Sequence, residues 1–281
     1  MQQREVQEVV VPSPVREGAG VQLRRSIATP RLDHVDPFFL FDHFGSENPD
    51  DYIAGFPMHP HRGIETITYM LDGRVEHRDS LGNAGVIGPG DVQWMTAGSG
   101  IMHEEMPKVG PSRLDGFQVW VNLPARLKMT RPRYQDVPAG RIPEVVRTDG
   151  SRIRVVAGEV DGQAGAVKEI FADPTYLDVV LPAGALFEQP VPQGQTALLY
   201  LFEGELTVGQ VPGQSLLATR LAILTDGDVV RTRAGDAAAR FLLLAAQPLN
   251  EPAVRWGPFV MNTREEVEQA LRELREGTFI K

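Results

Sequence analysis

The sequence predicts an all-β protein of two barrels in tandem, with one short helix near the C-terminus. Strand-like runs, a repeated turn signature and the scarcity of helical periodicity carry that expectation. Six runs have strand composition, at residues 66–71, 117–122, 153–157, 176–181, 197–202 and 240–245. Glycine (28) and proline (22) are spread between them, as many short strands joined by turns require. Strands do not alternate with helices, which excludes a doubly wound α/β sheet.

The repeat sets the architecture. Tyr69-Met70-Leu71-Asp72-Gly73 is echoed by Tyr200-Leu201-Phe202-Glu203-Gly204, and Gly90-Asp91-Val92 by Gly227-Asp228-Val229. Two similar β-units in one chain indicate a bicupin, two jelly-roll barrels in succession. The boundary is expected in the proline-bearing stretch 123–143, giving an N-terminal cupin domain over 1–135 and a C-terminal cupin domain over 136–281 that includes the helix. That helix opens on a capping box, Thr263 with Glu266. Val267, Ala270, Leu271 and Leu274 follow at helical spacing, and Gly277 supplies the stop. It reads as a packing element.

Composition narrows the function. Against 28 basic residues stand 37 acidic ones, a net charge of −9 that repels phosphate backbones, so direct nucleic-acid binding is not expected. Cysteine is absent, so any transition metal must take imidazole and oxygen ligands. The N-terminal residues lack the apolar core of a signal peptide, and no run of about 18 apolar residues occurs, so no membrane segment is expected. The cytoplasm is the expected location.

The chemistry sits in the first half, because all six histidines precede residue 104. Residues two apart on an extended strand share a face, so His59 and His61 can reach into one barrel interior. His103 and Glu105 repeat that spacing, and the four residues make a convergent nitrogen and oxygen set for one divalent metal. Aligned by the repeat, His59 and His61 fall opposite Pro190 and Pro192, and His103 and Glu105 opposite Arg240 and Leu242. One loaded barrel and one structural partner are therefore expected. Glu65 is the main rival carboxylate, since it shares parity with His59 and His61; Glu104 is a weaker rival, on the opposite face from His103. The unused carboxylate can orient a ligand imidazole through its second nitrogen.

Phe38, Phe39, Phe41, Phe44 and Phe56, with Trp94 and Met102, are candidates to wall an apolar pocket, though plain core packing explains the phenylalanines more simply. His34 and His43 read as buried, hydrogen-bonded residues, His77 as exposed, and Gly98-Ser99-Gly100 as a turn before His103.

At these residues the chain resembles the pirins, a bicupin family of bacteria and eukaryotes. The resemblance runs from about Arg25 to Phe279. It is carried by Asp36-Pro37-Phe38-Phe39-Leu40, His59-Pro60-His61-Arg62-Gly63, Gly100-Ile101-Met102-His103-Glu104-Glu105-Met106-Pro107, Trp120-Val121-Asn122-Leu123-Pro124 and Gly257-Pro258-Phe259-Val260-Met261-Asn262, among others. It implies a metal-bearing N-terminal cupin and a C-terminal cupin without metal. It also implies Fe(II) on His59, His61, His103 and Glu105, although nickel, copper, zinc or manganese suits the same donors. Two activities are implied. One is a quercetin 2,3-dioxygenase-like enzyme opening a flavonol with O2; for such a reaction Glu105, if it loosens from the ion, is the candidate catalytic general base. The other is a redox-sensitive regulator that binds a transcription factor or metabolic enzyme.

Overall fold

The computed structural model describes residues 1–171, 174–210 and 212–281. All six predicted runs lie within strands: Ile64–Asp72, Leu114–Asn122, Arg152–Ala157, Thr175–Leu181, Thr196–Glu203 and Ala239–Ala246. The chain divides into two compact units, and the division differs from continuous halves. One unit joins Ser13–Ala139 to Leu249–Lys281, and the other joins Met1–Pro12 to Gly140–Pro248. The terminal segments are exchanged because each completes the opposite unit's structure. Strand Val6–Val10 pairs with Arg220–Leu224 at the edge of the second barrel's large sheet. The C-terminal segment returns to the first barrel, where Val260 N donates to the Arg62 carbonyl.

Each unit is a barrel of one seven-stranded and one four-stranded antiparallel sheet, and the strand orders match. The small sheet of the first barrel contains Phe56–His61, Ile101–Lys108, Arg74–Asp79 and Ala84–Ile87; that of the second contains Leu186–Pro190, Val229–Ala234, Glu205–Val208 and Gln214–Leu217. The first echo of the repeat is structural, since Gly73 (φ 78°) and Gly204 (φ 81°) turn the chain from the large sheet into the small one at equivalent places. The second echo is not. Gly90-Asp91 leads into Val92–Thr96 of the large sheet, whereas Gly227-Asp228 leads into Val229–Ala234 of the small one. The counterpart of His103 and Glu105 is thus Val229–Ala234, not Arg240 and Leu242. No histidine stands there either.

The two interiors differ. Leu177, Val179, Phe187, Leu199, Leu201, Phe241 and Leu243 fill the second barrel in one apolar cluster. Among the described residues the first barrel has apolar clusters around Leu23, Phe44 and Met70 and around Leu40, Ile64 and Trp120. Buried polar side chains, His61, His103, Glu105 and Thr68 among them, stand in the same unit.

The C-terminal helix (Arg264–Glu276) forms as its signals predict. Glu266 N donates to Thr263 Oγ1 at 3.2 Å, Thr263 N donates back to Glu266 Oε2 at 3.0 Å, and Gly277 closes the helix at φ 72°. Val267 and Ala270 are buried. On this helix Glu273 meets Arg62, a buried guanidinium whose Nη2 donates to Glu273 Oε2 at 2.6 Å. Arg62 also lies 4.3 Å from the centre of the Phe279 ring. Lys128 is a second buried cation, 1% exposed, donating to the carbonyls of Gly63 and Val260 and to Asn122 Oδ1 at 2.9, 2.6 and 2.6 Å. Burial pushes its ammonium down to about 7. Among the described residues no helix is long and apolar enough to cross a membrane.

Replacing Lys128→Met removes the ammonium donor from three buried acceptors, of which the Gly63 carbonyl keeps Leu123 N, and is expected to destabilise the protein by about 2 kcal/mol, measured as a lower urea midpoint. Partial burial would raise the Glu273 carboxyl, but Gln269, Arg62 and Lys281 outweigh it and hold the group at about 2. Because that value lies below its ordinary 4.5, the ionised carboxylate contributes stability above pH 4.5 that disappears as pH falls toward 2. Amide exchange in Arg264–Glu276 should therefore accelerate over that window, and Arg62→Met should weaken the pH dependence, leaving the part due to Gln269 and Lys281.

Candidate metal centre

His59 and His61 end one strand of the small sheet, and His103 lies directly opposite His59 on its neighbour Ile101–Lys108. The alternating burial of that strand turns Ile101, His103, Glu105 and Pro107 inward. Glu104 points outward to Arg78, as its parity predicts. The three imidazoles converge, with potential ligand atoms all within 4.8 Å of one another. Ring centres are 4.5 to 4.9 Å apart.

The hydrogen bonds define which nitrogens are available. A carbonyl can only accept, so the 2.9 Å contact of His59 Nδ1 with Pro57 O puts the proton on Nδ1. The lone pair of neutral His59 is then on Nε2, which faces His61 Nε2 at 3.0 Å. His103 is buried with no partner on either ring nitrogen, and His61 Nδ1 has none. Burial lowers the His61 imidazole well below its ordinary value, and the adjacent His59 and His103 add to this. Burial likewise takes His103 down to about 4. Neutral imidazoles with unpaired nitrogens in an interior are the donor set a divalent cation requires.

Glu105 stands outside the three-histidine group but in the same interior. Its Oε1 accepts from Thr68 Oγ1 at 3.1 Å, and both oxygens accept from Gln118 Nε2 at 3.2 Å. Glu65 is turned the other way. Its oxygens accept from Trp94 Nε1 at 3.0 Å and Thr96 Oγ1 at 2.7 Å, and it lies three positions before the inward Thr68, an odd offset that places it on the opposite face. The parity argument fails because the strand is not continuous: the chain turns at Gly63 (φ 80°) from the small sheet into the large one. A Cβ at Gly63 would lie 2.1 Å from the Val260 carbonyl oxygen, so glycine is required there.

An open cavity of about 520 Å³ reaches His59 and His61. Its other walls include Leu40, Phe56, Trp120, Trp256 and Pro258, and a polar side formed by Gln118, Asp42 and Arg25. Arg25 binds Asp42 through two hydrogen bonds of 2.8 and 2.7 Å, yet burial still pushes the Asp42 carboxyl up to about 6. Thr68, Gln118, Asp42 and Arg25 lie in one row across four adjacent strands.

Several expectations change here. Of the proposed aromatic wall only Phe56 lines this cavity. Phe38, Phe39, Phe41 and Phe44 are core, Trp94 is committed to Glu65, and Met102 packs by the C-terminal cluster. His43 is buried against Asp115, as expected. His34 is instead exposed, stacked on Phe39 at 4.6 Å. His77 is buried opposite Glu105 and beside Tyr134, because it follows the inward parity of Val75. Sequence reasoning missed Gln118, Thr68 and Trp120. Only the strand alternation of Thr66, Thr68 and of Gln118, Trp120 signalled that they face inward.

A barrel with a three-histidine cluster that could hold a metal ion, repeated in a second barrel without one, defines a bicupin. The chain matches the family model Pirin over residues 20–121 and the Pirin C-terminal cupin domain over 176–280. It belongs to the pirin family. A Pseudomonas aeruginosa protein carrying the provisional name quercetin 2,3-dioxygenase is 48% identical over 98% of this chain and 97% of its own. The crystal structure of a quercetin 2,3-dioxygenase from Acinetobacter baumannii superimposes with a TM-score of 0.89 at 34% identity, covering 99% of this chain and 98% of that one. An Escherichia coli pirin in complex with nickel(II) shares the fold at a TM-score of 0.69 and 21% identity, over 86% and 98% of the two chains.

His61→Ala is expected to reduce metal stoichiometry from about one per chain to near zero while leaving the second barrel folded. Elemental analysis and amide exchange of the second barrel check the two parts; full metal content in this variant would remove His61 from the donor set.

Proposed function

We propose that the protein is a flavonol dioxygenase of the quercetin 2,3-dioxygenase class, using one Fe(II) held by His59, His61, His103 and Glu105. The observation behind this reading is the open cavity that includes two of the three histidines among its walls. A purely structural ion is normally enclosed on all sides. A cavity of about 520 Å³ with aromatic walls and a few polar groups suits a small organic ligand. The names of the Pseudomonas and Acinetobacter relatives point to the same chemistry.

Three neutral imidazoles and one carboxylate fit the metal by chemistry, leaving a divalent ion a net charge near +1. Bound Fe(II) supplies a Lewis-acidic, redox-active centre for O2 and an ionised substrate hydroxyl. The chain's own residues do the remaining work. His59 is oriented for ligation through its bond to the Pro57 carbonyl. Trp120, its ring edge-on to His61 at 5.1 Å, and Leu40 present apolar surface to the aromatic body of the substrate. Asp42 and Arg25 offer an acceptor and donors to its hydroxyls. Glu105 takes the hydroxyl proton as general base. Thr68 and Gln118, donating to its oxygens, hold that carboxylate in the interior and offset the cost of its buried charge.

Protein isolated without added metal should contain about one iron per chain and consume O2 with quercetin in an oxygen-electrode assay. Absence of turnover at confirmed metal content would shift the assignment to the regulatory branch of the family, and nickel in place of iron would revise the metal alone. Gln118→Leu should weaken metal affinity roughly 10- to 100-fold without eliminating binding, measured by competition with a chelator; an unchanged affinity would separate Glu105 from the ion.

A further inference from the structure

One wall of the cavity comes from the hairpin Val254–Trp256 and Phe259–Met261, far along the chain from the histidines. Its tip is Gly257-Pro258, with Gly257 in the left-handed region at φ 52°. Pro258 lines the same cavity as His59 and His61. The hairpin is anchored: Lys128 Nζ donates to the Val260 carbonyl at 2.6 Å, and Phe259 is fully buried.

On this fixed support Trp256 is 55% exposed, while Trp94 and Trp120 are buried. Among the described residues it is the one aromatic among the large exposed apolar side chains. Its ring lies nearly parallel to Phe259, at 18° with centroids 6.4 Å apart, so its plane is set by packing. It is a rigid flat surface at the side of a cavity, with apolar area still facing water. An indole held in that way loses little conformational freedom when a second ring covers it.

We propose that Trp256 is a specificity-determining residue of the cavity, its indole stacking on a flat, polycyclic aromatic ligand that extends toward His59 and His61. The proposal rests on the aromatic-substrate reading above and adds the selection rule. Planar ligands long enough to reach both the indole and the histidines gain from Trp256, and small ligands that reach only the histidines do not.

The test uses the full metal-loaded chain, its Trp256→Ala and Trp256→Phe variants, and quercetin and azide as probes. Quenching of Trp120, which lines the same cavity in every variant, reports quercetin binding. Trp256→Ala should raise the quercetin Kd about tenfold, with the kinetic loss in KM rather than kcat. Trp256→Phe should recover most of the affinity, and azide affinity and metal content should not move. An unchanged quercetin Kd in Trp256→Ala, an equal loss in both variants, a parallel loss for azide, or no quenching in the wild-type protein would each overturn the proposal. Trp256-dependent quercetin binding without O2 consumption would remove the dioxygenase reading and leave this assignment standing.

Discussion

Three imidazoles facing one another inside a barrel are the constraint on which the rest of the structure depends. His61 and His103 are almost wholly buried, and three of their four ring nitrogens lack a hydrogen-bond partner. Left so, each is a desolvated polar group without compensation, which costs free energy. A cation shared among the rings removes that cost and reverses its sign. Around the rings, Gln118 and Thr68 donate to the Glu105 carboxylate and the Pro57 carbonyl accepts from His59.

The second barrel answers the same topology with different chemistry. Its small sheet repeats the strand order of the first, but its interior is filled by one apolar cluster. Among the described residues no imidazole interrupts it, so the packing is that of a core. One unit holds a histidine cluster and the other a packed apolar interior.

What could be read from the sequence follows the range of each signal. Strands at 66–71 or 197–202 and the helix cap at Thr263 are written in neighbouring residues, and all were legible. The inward pairing of His103 with Glu105 needed only alternation along one strand, and it too was legible. Parity failed where it was carried across Gly63, since a corner between sheets resets which side chains face inward; Glu65 was misjudged for that reason. His77 was misjudged because a turn nearby says little about which face of the following strand is covered. The contributions of Gln118 and Trp256 depend on pairings between distant segments, which one sequence does not display.

The exchange of terminal segments imposes an order on biosynthesis. Residues 249–281, which close the histidine-bearing barrel and build a wall of its cavity, are translated only after the whole second barrel. The nascent first barrel therefore lacks that wall until residues 249–281 have been translated. Any truncation near the C-terminus injures the barrel that was made first.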